Sequence, residues 1–211
     1  MRYRPRSAVM PIIVANIAVF ILQLLLGRYG FNDLFILKMG DALVRPWTLL
    51  TSIFMHAGLT HLLFNMYVLF IFGPLLEQRI GSKRFLWIYF GSGLIASFIS
   101  SFIYDAALGA SGAVMGMIGV VIILIPNLRV LFFFIIPMPF WIAGIIIAAI
   151  DIMGVFVPSG IANIAHLVGM GCGVGYGLYL KRKKKRFHRK FSSKNHMSED
   201  DIKEYIRSGR I

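Results

Sequence analysis

Apolar residues fall along this chain in blocks of about 20, broken by glycine, proline and charge rather than by regular polar alternation. Blocks of that length suit helices crossing a hydrocarbon core about 30 Å thick at about 1.5 Å per residue. The breaks predict six spans, at about 9–26, 57–76, 85–104, 109–125, 138–157 and 163–180. The fourth block is short, bounded by Gly109 and Pro126. The segment 130–137 (VLFFFIIP) is apolar but runs into Pro-Met-Pro, and is expected either to lengthen the fifth span or to lie at the membrane interface. The first block follows Arg2, Arg4 and Arg6 as a signal peptide would. It is too long for one and lacks a small-residue cleavage site, so a retained first span is expected. Between the first two spans lies a long loop of mixed polarity containing Trp47, expected to pack into the outer interface.

Composition supports this reading. Of 211 residues, 58% are hydrophobic and 15% charged, against roughly 45–50% and 25% in soluble domains. Six spans and their loops leave no room for a large soluble domain, so one membrane domain is expected over 1–180, followed by a basic tail over 181–211. The single Cys172 excludes an intramolecular disulfide and a thiolate metal site. The net charge of +13 is concentrated at one end, since 12 of the 22 Lys and Arg lie beyond Tyr179. That distribution favours anionic lipid headgroups over nucleic acid as the partner of the cluster KRKKKRFHRK. Arg79, Lys83, Arg84 and Arg129 fall on the same side as the tail if there are six spans. The other side carries only Arg28, Lys38 and Arg45, offset in part by Asp33 and Asp41. Both termini are therefore expected to be cytoplasmic, in a multi-pass protein of the cell membrane.

Polar groups inside spans cost roughly 2.5–3.5 kcal/mol when charged at a helix centre, so each is a candidate for function. His61, Asn65, Ser111 and His166 sit on the second, fourth and sixth predicted spans, all within roughly 12 Å of the outer boundary. Even-numbered spans enter from one side, which brings the four into one layer. Ser111 lies in Gly-Ala-Ser-Gly at a helix start, where unpaired backbone N–H groups could hold an oxyanion. The same four residues could equally be a close-packing face, as small residues often are in membranes. His166 precedes Gly169, Gly173 and Gly177, a small-residue strip suited to the strip Gly112, Gly116 and Gly119. If the two strips meet, a nucleophile lies beside a base. His61 and Asn65, four residues apart, share a helix face and can aim two donors at one spot.

Other polar residues have structural readings. His56 is expected to fix the loop by hydrogen bonds, and Glu77 with Arg79 to hold a loop before Gly81. Asn16 and Gln23 are expected to face other helices. Asp151 has no carboxylate partner in the outer layer, so neither a triad nor an aspartyl dyad has support, although it could orient a polar neighbour. His166 is then held by packing alone. The segment SEDDIKEYIRSGR reads as a short solvated helix capped by Ser198.

The motifs WTLLTSIFMHAGLTHLLFNM from Trp47, GPLLEQRIG from Gly73, GASG from Gly109 and AHLVGMGCG from Ala165 together resemble the rhomboid family of intramembrane serine proteases, over roughly residues 9–180. The resemblance implies an all-α, six-transmembrane-helix bundle opened outward. It implies a Ser111–His166 dyad, an oxyanion hole from the Ser111 backbone, His61 and Asn65, and cleavage of transmembrane protein substrates without metal or cofactor. Two positions depart from the pattern. Thr48 follows Trp47 where many members have Arg, and Met115 stands where many have a Tyr that stacks on the His; a thioether can also pack there. A non-catalytic relative that binds membrane clients is disfavoured by the intact Ser111 and His166. A transporter would be expected to show internal repeats, which the chain lacks.

Overall fold

The computed structural model describes residues 7–132, 135–157, 160–192 and 198–202. Its frame is six long helices. The first, α1 (Val9–Leu26), matches its apolar block to the residue. A loop follows, built from a single 3-10 turn (Gly27–Tyr29), α2 (Phe31–Phe35), β1 (Leu37–Lys38), α3 (Asp41–Val44), α4 (Thr48–Thr51) and a second 3-10 turn (Ser52–Phe54). The chain then forms α5 (Leu59–Ile80), α6 (Ser82–Ser100), β2 (Ala106–Ala107), α7 (Ser111–Leu124), β3 (Arg129–Phe132), β4 (Ile136–Pro139), α8 (Phe140–Phe156) and α9 (Asn163–Ser192).

The loop between α1 and α5 is an organised layer. The Asp41 carboxylate accepts the Lys38 N–H at 2.8 Å and three bonds from the Arg45 guanidinium, one from Nε and two from Nη2. Trp47 Nε1 donates to Leu34 O at 3.0 Å, and Thr51 Oγ1 to Phe35 O at 2.9 Å. Thr48 is buried and donates to Arg45 O at 2.7 Å. These bonds order the loop around Asp41 and Arg45.

Helix α7 lies at the centre. Residues on all its sides are buried, from Gly112 to Val121, as expected of an apolar helix surrounded by others. Antiparallel α1 and α5 are tied at both ends. At one, Glu77 accepts Ser7 Oγ at 2.5 Å and the Ala8 N–H at 2.7 Å. At the other, Gln23 exchanges two bonds with the His56 backbone, at 2.8 and 3.2 Å. Glu77 thus holds the entry to α1 rather than a loop before Gly81. Asn16 and Gln23 are both buried, as expected.

Three expectations change. Of the two alternatives for the segment 130–137, lengthening the fifth span is excluded, because β3 and β4 pair antiparallel, with Arg129 opposite Pro139 and Phe132 opposite Ile136. The run is rich in β-branched and aromatic residues, and Pro137 and Pro139 lack the N–H a helix interior needs. With the β1–β2 pair, the fold is mostly helical rather than all-α. Finally, α9 does not stop near residue 180 but continues to Ser192. Lys and Arg are good helix formers, and positive charge suits a helix C-terminus. Past it, Ser198 Oγ accepts the Asp201 N–H at 3.2 Å and Asp201 accepts the Ser198 N–H at 3.2 Å, the reciprocal cap expected there. The Arg2–Arg6 arm lies outside the described residues.

The outward faces are apolar. Leu24, Trp87, Met153 and Phe156 are among many large hydrophobic side chains left exposed, more than a water-facing surface carries. By length and composition, Val9–Tyr29 and Leu59–Ile80 can cross a membrane, while Ser111–Leu124 and Phe140–Phe156 are apolar but shorter.

Candidate active site

The approach to Ser111 is shaped by its backbone. Strand β2 pairs antiparallel with β1, Leu37 opposite Ala107, and the Gly109 N–H donates to Ser52 O at 2.9 Å. Gly109 then adopts φ +120°, which L side chains rarely reach. A Cβ there would also stand 2.5 Å from His61 Cε1 and 2.8 Å from its Nε2. The glycine therefore both makes the turn and admits the His61 ring against the chain just before Ser111. Ser111 is the first residue of α7, and the helical ladder opens with the Val114 N–H to Ala110 O at 2.9 Å. The N–H groups of Ser111, Gly112 and Ala113 precede that ladder, where an anion is favoured.

The two glycine strips meet. A Cβ on Gly169 would fall on the Gly112 carbonyl oxygen, and one on Gly173 on the Gly116 carbonyl oxygen, while Gly177 faces Ile123. Both helices advance together through these contacts, so α7 and α9 run parallel and side by side. Ser111 precedes the first contact by one residue and His166 precedes it by three. Both therefore sit at the same end of the packed pair. A small cavity of about 20 Å³ opens there, lined among others by Ser52, Ser97, Ser100, Ser111 and Ala165. It has room for one water molecule. The Ser100 hydroxyl, buried in its wall, has no partner among the described residues.

His166 is not held by packing alone, and this overturns the expectation from sequence. Its Nδ1 lies 2.9 Å from Asp151 Oδ1, a contact between α9 and α8. Asp151 is 5% exposed and the His166 side chain 14%, so the pair is largely shielded. A carboxylate at Nδ1 places the ring proton there and leaves Nε2 free to accept. Tyr104, in the loop after α6, also supports this end of α9: its hydroxyl accepts the Ile164 N–H at 3.0 Å. Neither partner was identified from sequence as supporting His166.

The two residues of α5 have different roles in the geometry. The Ala57 N–H donates to His61 Nδ1 at 3.5 Å, which leaves Nε2 as the protonated nitrogen, on the Gly109 side. Asn65 Nδ2 instead donates back to His61 O at 2.8 Å, spending one of its two amide hydrogens on its own helix. Only the second remains for a ligand.

His56 sits behind His61, ring centroids 5.1 Å apart, with its backbone fixed by Gln23. Burial, reinforced by neighbouring His61, lowers its pKa from 6.5 to about 4. Its Nε2 is buried without a partner, in keeping with a neutral ring. The unfolded chain takes up this proton near pH 6.5 and the folded one only near 4. The stability due to neutral His56 is thus complete above about 6.5 and lost as pH falls towards 4. Detergent-solubilised protein should lose about 3 kcal/mol over that window through this group. In His56→Gln the unfolding midpoint should depend less on pH; an unchanged slope would exclude His56 as its source.

No group of three His, Cys, Asp or Glu suited to a metal occurs among the described residues. Comparison with known proteins matches the Rhomboid domain family over residues 44–183. The chain is 35% identical over 144 residues to "Putative rhomboid protease YdcA" of Bacillus subtilis, covering 66% of this chain and 70% of that protein. It is 30% identical over 188 residues to the mitochondrial Rhomboid protein 1 of Saccharomyces cerevisiae, covering 84% of this chain and 54% of the relative. It is 36% identical over 127 residues to the rhomboid protease GluP of Bacillus subtilis, covering 59% of this chain and 24% of the relative.

Proposed function

The chain belongs to the rhomboid family, whose members are membrane-embedded and include proteins named as proteases, and on that premise we propose that it is an intramembrane serine endopeptidase with Ser111 as nucleophile and His166 as base. The observation that carries this is the parallel, glycine-mediated contact of α7 and α9, which sets the two side chains at one end of one helix pair. The six long helices are read as six spans with both termini cytoplasmic, in a cell membrane. The loop between α1 and α5, with Leu43 and Val44 exposed, is read as lying in the outer interface.

A substrate transmembrane segment approaches through the bilayer, unwinds locally near the outer side and presents a peptide carbonyl to Ser111. The hydroxyl proton passes to His166 Nε2 as Oγ bonds to the carbonyl carbon. The oxyanion is held by the N–H at the start of α7 and by His61 Nε2–H, with the remaining Asn65 amide hydrogen as a third donor. His166 returns its proton to the leaving amine, and water from the outer side hydrolyses the acyl-enzyme. The cavity beside Ser111 is large enough to keep one such water at hand.

A fluorophosphonate or chloroisocoumarin probe should label the purified protein at Ser111, and Ser111→Ala should take no label. Labelling that survives in Ser111→Ala would remove Ser111 as nucleophile. An intact Ser111 that takes no label, in protein that also leaves a model single-span substrate uncut, would favour a client-binding role.

A further inference from the structure

We infer that Asp151 is a positioning residue for the reaction, so that the site works as a chain of three groups, Asp151–His166–Ser111, rather than as a dyad. The inference rests on the reading of Ser111 and His166 as nucleophile and base. Three observations carry it. Asp151 Oδ1 takes the one ring nitrogen that must not face the serine, at 2.9 Å. Asp151 stands on α8 with five residues still to run to the helix end at Phe156, and His166 stands three residues into α9. The two therefore fall within a turn of each other in depth at the same face of the bundle. Lastly, Asp151 Oδ2 is buried without any partner among the described residues.

That orphaned oxygen separates a functional role from a structural one. A buried carboxylate is costly, and one satisfied at a single oxygen is a poor device for joining two helices. An Asn could bridge α8 and α9 with less uncompensated charge. What a carboxylate supplies and an amide does not is a negative charge beside an imidazole that becomes positive when it takes the Ser111 proton. It also supplies an acceptor-only group, which fixes the Nδ1–H tautomer. No proton passes to Asp151 in this scheme. The Nδ1 proton stays on the ring, the Ser111 proton goes to Nε2 and on to the leaving amine, and Asp151 remains ionised throughout. Neighbouring groups do not replace it: the Tyr104 hydroxyl accepts from the α9 backbone at Ile164, and a histidine such as His61 brings no negative charge.

The test is Asp151→Asn in the full-length protein, assayed on a single-span substrate and by 15N NMR of histidine-labelled protein. In soluble serine proteases the equivalent change lowers kcat by about 10⁴-fold by selecting the wrong tautomer. Here kcat should fall by about 10²-fold or more with KM within about threefold. The His166 resonances should shift from the Nδ1–H to the Nε2–H tautomer. A wild-type His166 already in the Nε2–H form, or an Asp151→Asn variant with kcat within about threefold of wild type, would overturn the proposal. Asp151→Ala provides a second route should the Asn variant not fold: it too should lose kcat by at least about 10²-fold while unfolding close to the wild-type midpoint, and full activity in it would count equally against the inference. Ser111→Ala run in parallel separates the two readings. If Ser111→Ala is inactive and Asp151→Asn is active, Asp151 alone fails; if Ser111→Ala still cleaves, the nucleophile fails first.

Discussion

Ser111→Ala, His166→Ala and the double variant should all lose cleavage of a purified single-span substrate to the same floor, at least about 10³-fold below wild type. The equality matters more than the size of the loss. A nucleophile and its base act in one proton transfer, so removing either removes the step, and removing both costs no more than removing one; in soluble serine proteases the combined loss is likewise far from additive. Two residues that merely support the helix pair would behave otherwise, each costing part of the stability and the two adding. His166→Ala should also abolish probe labelling at Ser111, because the hydroxyl then has no acceptor for its proton. Fragments that persist in either single variant, or single losses that multiply in the double variant, would show that Ser111 and His166 do not form the reacting pair.

Much of this site could be read from spacing. The four-residue repeat of glycine after His166 and the run from Gly112 pointed to two faces that would meet, and the backbone contacts of Gly169 with Gly112 and Gly173 with Gly116 are that meeting. The first helix was legible to the residue because a block sized to a bilayer has little ambiguity. The hairpin Arg129–Pro139 was not, since a short apolar run is equally compatible with strand and helix. Asn65 shows a different limit. Helical periodicity places its Cβ on the His61 face but does not decide whether the amide turns outward or bonds back to the carbonyl four residues earlier, as it does here.

Asp151 was within reach of the same depth argument that grouped Ser111 with His166. Counting inward from the starts of the even-numbered spans leaves out α8, which reaches that face by its end. Counting back from the end of α8 puts Asp151 about 7 Å below that face, and His166 is about 4 Å below it along α9. Burial of the pair then follows from helices that must pack their polar groups together rather than face lipid.

The glycines of α9 offer the other large effect. Gly173→Val should destabilise the protein by at least about 3 kcal/mol and abolish cleavage, while Gly171→Ala and Gly175→Ala should leave both intact. The side chain at 173 would enter the Gly116 carbonyl oxygen of α7, a backbone atom that cannot rotate aside, so the helices themselves must separate. Overpacking against movable side chains costs about 1–3 kcal/mol, and a backbone obstacle costs more. Separation there also widens the end of the pair that carries Ser111 and His166, so activity should fall even in molecules that remain folded. Positions 171 and 175 have nothing within 4 Å of an added Cβ, and alanine in a helix interior is favoured over glycine by roughly 0.5–1 kcal/mol. Those two variants should therefore match or exceed wild type in an SDS-unfolding series in mixed micelles. The comparison is made within one helix and one residue type, so a general intolerance of α9 to substitution would make all three variants fail together. Equal stability in all three would instead mean that the α7–α9 contact is not what brings the serine and histidine together.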